Sequence, residues 1–255
     1  MSHDRIVRAL IDGRKSGGKL QSYPAAAPRG MAEAFAIQTA VRETIGWTHA
    51  GWKIGCTSER AQKALKTGGP FPGPLYRERL FKSGVHLETL AENSRTTEPE
   101  IAFTLARDCP PTDHSYTADD VLAAVASVHA AIEIVNPRLP KGFDDVIEWY
   151  VADGGLSDCL VLGEGMPPLP SEAYANITCR VFVNGRHTCD GLGANALGGP
   201  ELALTWLAND LIAKGTHLRA GDIVTTGVIT PIFFGRIGET IEVDYSELGQ
   251  VSVSF

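Results

Sequence analysis

Three glutamates and one lysine stand out in this sequence as residues suited to chemistry. They are the pair in Glu98-Pro99-Glu100, Glu133 in Ala130-Ala131-Ile132-Glu133-Ile134-Val135, and Lys53 in Gly51-Trp52-Lys53-Ile54-Gly55. The stretch Glu98 to Leu105 alternates as a strand does. That sets Glu98, Glu100, Ala102 and Thr104 on one face and Pro99, Ile101, Phe103 and Leu105 on the other, toward a core. Pro99 also biases Glu98 toward an extended backbone. Two carboxylates then point the same way at short range, and a divalent cation is one natural relief of their repulsion. The same pattern also fits a solvated strand edge with two exposed acids.

Glu133 narrows the choice. Its neighbours are apolar enough for burial, and an unpaired buried carboxylate is costly. A metal, a basic side chain or a proton must compensate it, and Arg138 is the basic residue nearby in sequence. With Glu98 and Glu100 it forms a hard oxygen-ligand set suited to Mg²⁺ or Mn²⁺. No His/Cys cluster has the spacing of a zinc site. Lys53 alternates with Trp52 and Ile54, and the glycines on its own face allow close approach to the ammonium. It reads either as a functional lysine or as an edge lysine reaching for solvent.

These residues need elements to hold them. Met31 to Ile45 carries Ala34, Ile37, Val41 and Ile45 on one helical face, with Gly46 as a stop. Ala50 to Cys56 reads as a short strand. The run from Thr67 to Pro74 (TGGPFPGP) reads as a loop able to act as a lid. Thr117 and Asp120 resemble a capping box that opens a helix to about His129, followed by a strand over Ala130–Val135. Ile177 to Val183, then Asn184-Gly185, signals a hairpin. Pro200 opens a helix through Leu211. The glycines of Gly191 to Gly199 before it fit either an anion-binding turn or a plain flexible loop. Short strands close the chain near residues 223–226, 240–244 and 251–255. Strands outnumber helices without βαβ alternation, which predicts an α+β fold around a rolled or sandwiched sheet.

The composition is that of a globular protein, 44% hydrophobic and 21% charged, with a net charge of −7 that argues against a nucleic-acid partner. No run reaches the length of a membrane span, and no signal peptide is visible. The five cysteines form no CxxC pair. A two-residue Asn184-Gly185 loop would set Cys179 opposite Asp190 and Cys189 opposite Arg180, so a cross-strand disulfide is not favoured. Reduced thiols and a cytoplasmic location are expected.

Taken in order, several stretches resemble the hydratase and decarboxylase branch of the fumarylacetoacetate hydrolase superfamily. They are AFAIQ at Ala34–Gln38, GWKIGCTS at Gly51–Ser58, EPEIAF at Glu98–Phe103, AIEIVNPR at Ala131–Arg138, VADGGLSDCLVLG at Val151–Gly163, PELALTWLAN at Pro200–Asn209 and LRAGDIVTTG at Leu218–Gly227. The resemblance implies a mixed β-roll catalytic core over residues 85–255, with a smaller helical N-terminal α/β region over residues 1–84. It also implies Mg²⁺ or Mn²⁺ on Glu98, Glu100 and Glu133, a catalytic Lys53 that positions the anion, and catalytic roles for Asp153 and Ser157, one of which would relay a proton or place water. Gly154, Gly199 and Val228 stand where that family more often has Asn, His and Ser. The expected reaction is hydration of a 2-hydroxy-2,4-dienoate to a 4-hydroxy-2-oxo acid in the catabolism of aromatic compounds. Decarboxylation of a 2-oxo diacid, hydrolysis of an acylpyruvate C–C bond and a non-catalytic partner subunit are the alternatives. Copies of the same chain, and a related pathway enzyme, are the expected protein partners.

Overall fold

A computed structural model describes residues 2–255. Helices α1 (Ser2–Ser16) and α2 (Met31–Thr44) open the chain, followed by strand β1 (His49–Gly55), helix α3 (Glu59–Leu65) and strand β2 (Phe71–Tyr76). Short strands β3 (Leu80–Lys82) and β4 (Val85–His86) lead to the long strand β5 (Thr96–Leu105), helix α4 (Ala118–Leu122) and the long strand β6 (Val125–Val135). Helix α5 (Ile147–Ala152) precedes β7 (Ser157–Met166), the hairpin β8 (Thr178–Val183) and β9 (Arg186–Leu192), and helix α6 (Pro200–Ala213). The chain ends in β10 (Ile223–Thr225), β11 (Phe233–Phe234), β12 (Thr240–Tyr245) and β13 (Gly249–Ser254).

An eight-stranded mixed sheet runs β2-β1-β10-β5-β6-β7-β3, with β11 added beside β5, and a five-stranded sheet runs β4-β13-β12-β8-β9. The main core lies between them. Ile101, Phe103, Val128, Ile132 and Val161 of the first sheet meet Val181, Ile241, Val243, Val251 and Val253 of the second, and Leu204, Leu207 and Leu211 of α6 pack on the same cluster. Every second residue of β5 and β6 thus serves this core, which commits the alternate residues to the opposite face. On that face Ala102, Ala131, Leu160 and Ile223 form a small apolar cluster. A separate cluster joins α1 and α2 to Trp149 and Val151 of α5 and to Phe71 of β2. Gln38 pins α2 in place by donating to the carbonyls of Pro72 and Val151 at 3.0 and 2.7 Å.

Three local expectations are corrected. The segment at residues 67–74 is a loop only at its start; Phe71–Tyr76 is a buried strand paired with β1. Its prolines are tolerated because β2 is the edge strand of its sheet. The capping box of Thr117 and Asp120 is present, but the helix stops at Leu122 and β6 begins at Val125. There Val125 and Val128 enter the core through pairing with β5, which overrides local helix preference. The β8–β9 hairpin carries a bulge between Val181 and Phe182, which places Cys179 opposite Gly191 and Cys189 opposite Val181. All five cysteines are free.

Candidate metal centre

Antiparallel pairing of β5 with β6 sets Glu98 directly opposite Glu133 and Glu100 opposite Ala131. Two neighbouring strands therefore bring three carboxylates onto the face turned away from the main core. One oxygen from each lies within 4.8 Å of the others. Glu100 and Glu133 are fully buried and Glu98 is partly exposed. Ala102 and Ala131 beside them leave the carboxylates room.

Each carboxylate has a different set of neighbours. Glu100 Oε2 accepts from the Gly227 amide at 2.7 Å and from the Thr225 hydroxyl. Its other oxygen, buried, has no partner, and neither oxygen of Glu133 accepts a hydrogen bond of normal geometry. Lys53 Nζ lies 2.9 Å from Glu133 Oε2 and donates to the Gly155 carbonyl at 3.3 Å. Lys53 reaches this position because β1 joins the sheet beside β10, with Lys53 opposite Thr225. That close approach requires glycine at position 51, where a Cβ would lie 1.9 Å from the Ile223 carbonyl oxygen. Arg138, the basic residue near Glu133 in sequence, pairs instead with Asp153 and Asp158.

The charges shape one another. Burial raises Glu98 to about 7, with the charge of Glu133 adding and that of Lys53 opposing. Burial likewise holds Glu100 well above the ordinary carboxylate range, reinforced by Glu133. Burial alone would pull the Lys53 ammonium down, but Glu133, Glu98 and Glu100 outweigh it and hold it above its usual value. Ionising all three carboxylates would place more negative charge here than one lysine can balance. Orphaned buried carboxylate oxygens and an all-oxygen donor set fit a hard divalent cation.

Asp153 and Ser157 occupy the turn beside Lys53. The Asp153 carboxylate lies 3.1 Å from Arg14 Nη2 and 3.1 Å from Arg138 Nη1. The Ser157 carbonyl accepts from Arg14 at 3.2 Å and from Arg138 at 3.0 Å. Four contributors were not singled out as site residues in the sequence: Thr225 and Gly227, which lie within LRAGDIVTTG, and Tyr245 and Arg14, which lie in no such stretch. Tyr245 Oη, from the second sheet, lies 2.7 Å from the Glu100 carbonyl oxygen and 2.9 Å from that of Ala131. Among these, the glycine of LRAGDIVTTG offered the one usable signal. A Cβ at Gly227 would fall 1.9 Å from Thr57 Oγ1, and its φ of 100° is one that favours glycine.

Residues 82–255 match the family model described as fumarylacetoacetate (FAA) hydrolase C-terminal. A 2-keto-4-pentenoate hydratase of Burkholderia vietnamiensis is 31% identical over 100% of this chain and 99% of its own length. The protein of that name from Paraburkholderia phymatum is 33% identical over 100% and 99%. Among solved structures, 4-oxalocrotonate decarboxylase from Pseudomonas putida, complexed with magnesium and adipate, superposes with a TM-score of 0.87 at 24% identity, covering 100% of this chain and 98% of that one. That likeness establishes the shared fold. No helix of the described residues is long and apolar enough to cross a membrane.

Proposed function

This chain belongs to the fumarylacetoacetate hydrolase family, and from that premise we propose that it is a divalent-metal-dependent hydro-lyase that adds water to a 2-hydroxy-2,4-dienoate. The observation that carries the reading is the convergence of three carboxylates, one oxygen of each within 4.8 Å of the others, with buried Lys53 2.9 Å from Glu133. Glu98, Glu100 and Glu133 would hold Mg²⁺ or Mn²⁺, which when bound would supply Lewis-acid stabilisation of negative charge developing on the substrate.

The chemistry balances as the addition of one water. Transfer of the enol proton to C5 leaves a C3=C4 double bond conjugated with the 2-oxo group. Water then adds across it, hydroxyl at C4 and hydrogen at C3, to give a 4-hydroxy-2-oxo acid. Lys53 supplies a fixed positive charge for the anion that develops on this path, since its neighbours keep it protonated. Thr225 and Gly227 hold one oxygen of Glu100 and so orient its other oxygen. Asp153 and Ser157 support the turn whose Gly155 carbonyl accepts from Lys53.

The test is a panel of 2-hydroxy-2,4-dienoates and 2-oxo diacids assayed with Mg²⁺ or Mn²⁺. Loss of the dienoate absorbance without release of CO₂ is expected, and Glu133→Gln abolishes it. Release of CO₂ from a 2-oxo diacid would replace the hydratase reading with the decarboxylase one, which needs the same charge stabilisation but no added water. No turnover on any member would sink the enzymatic reading and favour a non-catalytic subunit.

A further inference from the structure

We propose that Arg14, on the N-terminal helix α1, is a positioning residue for the reaction, holding the Asp153–Ser157 turn in the shape that keeps Lys53 against Glu133. The activity arm of its test rests on the hydratase reading; the structural arm does not.

The Leu156 amide closes the turn onto the Asp153 carbonyl at 3.1 Å, but its backbone is of an unusual shape. Gly154, Gly155 and Leu156 follow one another at φ of 59°, 70° and 63°. Leu156 in that region carries a backbone cost that glycine avoids. Both ends of the turn are clamped by the same two guanidiniums. Arg14 donates to the carbonyls of Asp153 and Ser157, and its guanidinium forms an ion pair with the Asp153 carboxylate at 3.1 Å without a hydrogen bond to that oxygen. Arg138 bonds to the Asp153 carboxylate, the Ser157 carbonyl and Asp158, and Asp158 is held in turn by Arg79. Arg14 and Arg138 are almost wholly buried, so these contacts are weakly screened.

The turn also separates Arg14 from Lys53. A Cβ at Gly154 would lie 2.7 Å from Arg14 Nη2, and one at Gly155 would lie 2.9 Å from Lys53 Cδ. Gly73 of β2 closes the third side, where a Cβ would lie 2.3 Å from the Gly154 carbonyl oxygen and 3.2 Å from Lys53 Cδ. Three glycines thus let two cationic side chains press on opposite sides of one backbone turn. Arg14 belongs to α1, whose Ile6, Val7 and Leu10 anchor it in the N-terminal cluster at helical spacing. A helix that contributes nothing to the glutamates therefore reaches the site through this side chain.

The experiment compares Arg14→Gln, Arg14→Lys and Gly154→Ala with Leu10→Ala, which loosens the same helix without touching the guanidinium. Steady-state kinetics on the dienoate, Mn²⁺ affinity by electron paramagnetic resonance and hydrogen exchange of the 150–158 segment are measured for each. Arg14→Gln and Gly154→Ala are expected to lower kcat roughly tenfold, since small misplacements of a catalytic group are costly. KM and Mn²⁺ affinity stay within about twofold of the parent, while exchange in the turn accelerates. Arg14→Lys recovers part of the loss. Leu10→Ala, despite a lower melting temperature, keeps the parental kcat. The proposal is overturned if Leu10→Ala loses as much kcat as Arg14→Gln, or if Gly154→Ala leaves both kcat and exchange unchanged. Should the parent protein turn over no dienoate, the hydratase reading falls, and the exchange data alone decide whether Arg14 holds the turn.

Discussion

Glu98 differs from its two partners in how much water it sees, and that difference sets a pH dependence. Burial raises its pKa from 4.5 to about 7 in the metal-free protein. Between those values the folded state holds a proton that the unfolded chain has released, so stability falls as pH rises from 4.5 to 7. Metal-free protein is therefore expected to melt at a lower temperature at pH 7 than at pH 5, less steeply so in Glu98→Gln. Added Mg²⁺ should raise the pH 7 melting point by mass action, an effect that disappears in Glu133→Ala. Thermal scans at the two pH values, with and without the ion, check both statements; a metal effect surviving in Glu133→Ala would remove that residue from the ligand set. Affinity for the ion should rise through pH 7 for the same reason, because binding must displace the Glu98 proton.

At the scale of elements, the site depends on where strands cross. Tyr245 of β12 reaches from the second sheet to the carbonyls of Glu100 on β5 and Ala131 on β6. It ties the carboxylate-bearing strands to the sheet behind them. Tyr245→Phe leaves those carbonyls without that donor and is expected to cost about 1–3 kcal/mol in urea denaturation. A stability equal to the parent's would show that the carbonyls find other donors. Gly227, just past β10, is the other crossing point. Gly227→Ala places a methyl against Thr57 at a backbone angle that disfavours it, and the amide bound to Glu100 must move. Loss of most Mn²⁺ affinity with partial retention of fold is the expected result, read by electron paramagnetic resonance beside circular dichroism.

The whole molecule separates stability from chemistry by using the two faces of one sheet. The face toward the second sheet is the apolar core closed by α6; the other carries the acids beside the small cluster of Ala102, Ala131, Leu160 and Ile223. Truncating Leu207, fully buried on α6, should destabilise the protein by roughly 2–5 kcal/mol by leaving a cavity. Below its melting temperature, Leu207→Ala should still bind Mn²⁺ with near-parental affinity. A matched fall in affinity would mean that the two faces are mechanically coupled.

Much of this was legible in the linear sequence, because strand alternation is a local property. Glu98-Pro99-Glu100 followed by Ile101, Phe103 and Leu105 already separates acids from core residues. Glu133 among Ile132, Ile134 and Val135 already announces a buried charge in need of compensation. Many strands without βαβ alternation supplied the α+β class, and the family motifs the β-roll core. Distant partners were not legible. Arg138 is the nearest cation to Glu133 along the chain, yet Lys53, from a strand far earlier, is the one beside it. The helix read as far as His129 became a strand after Val125, because pairing with β5 buries more than a lone amphipathic turn could. Arg14 and Tyr245 have no signature at all, since their roles lie in backbone carbonyls and carboxylates supplied by other elements. Which side chains share a face follows from alternation along each strand. Which faces meet follows from the fold, because that depends on strand order and on glycines thin enough to let remote charges touch.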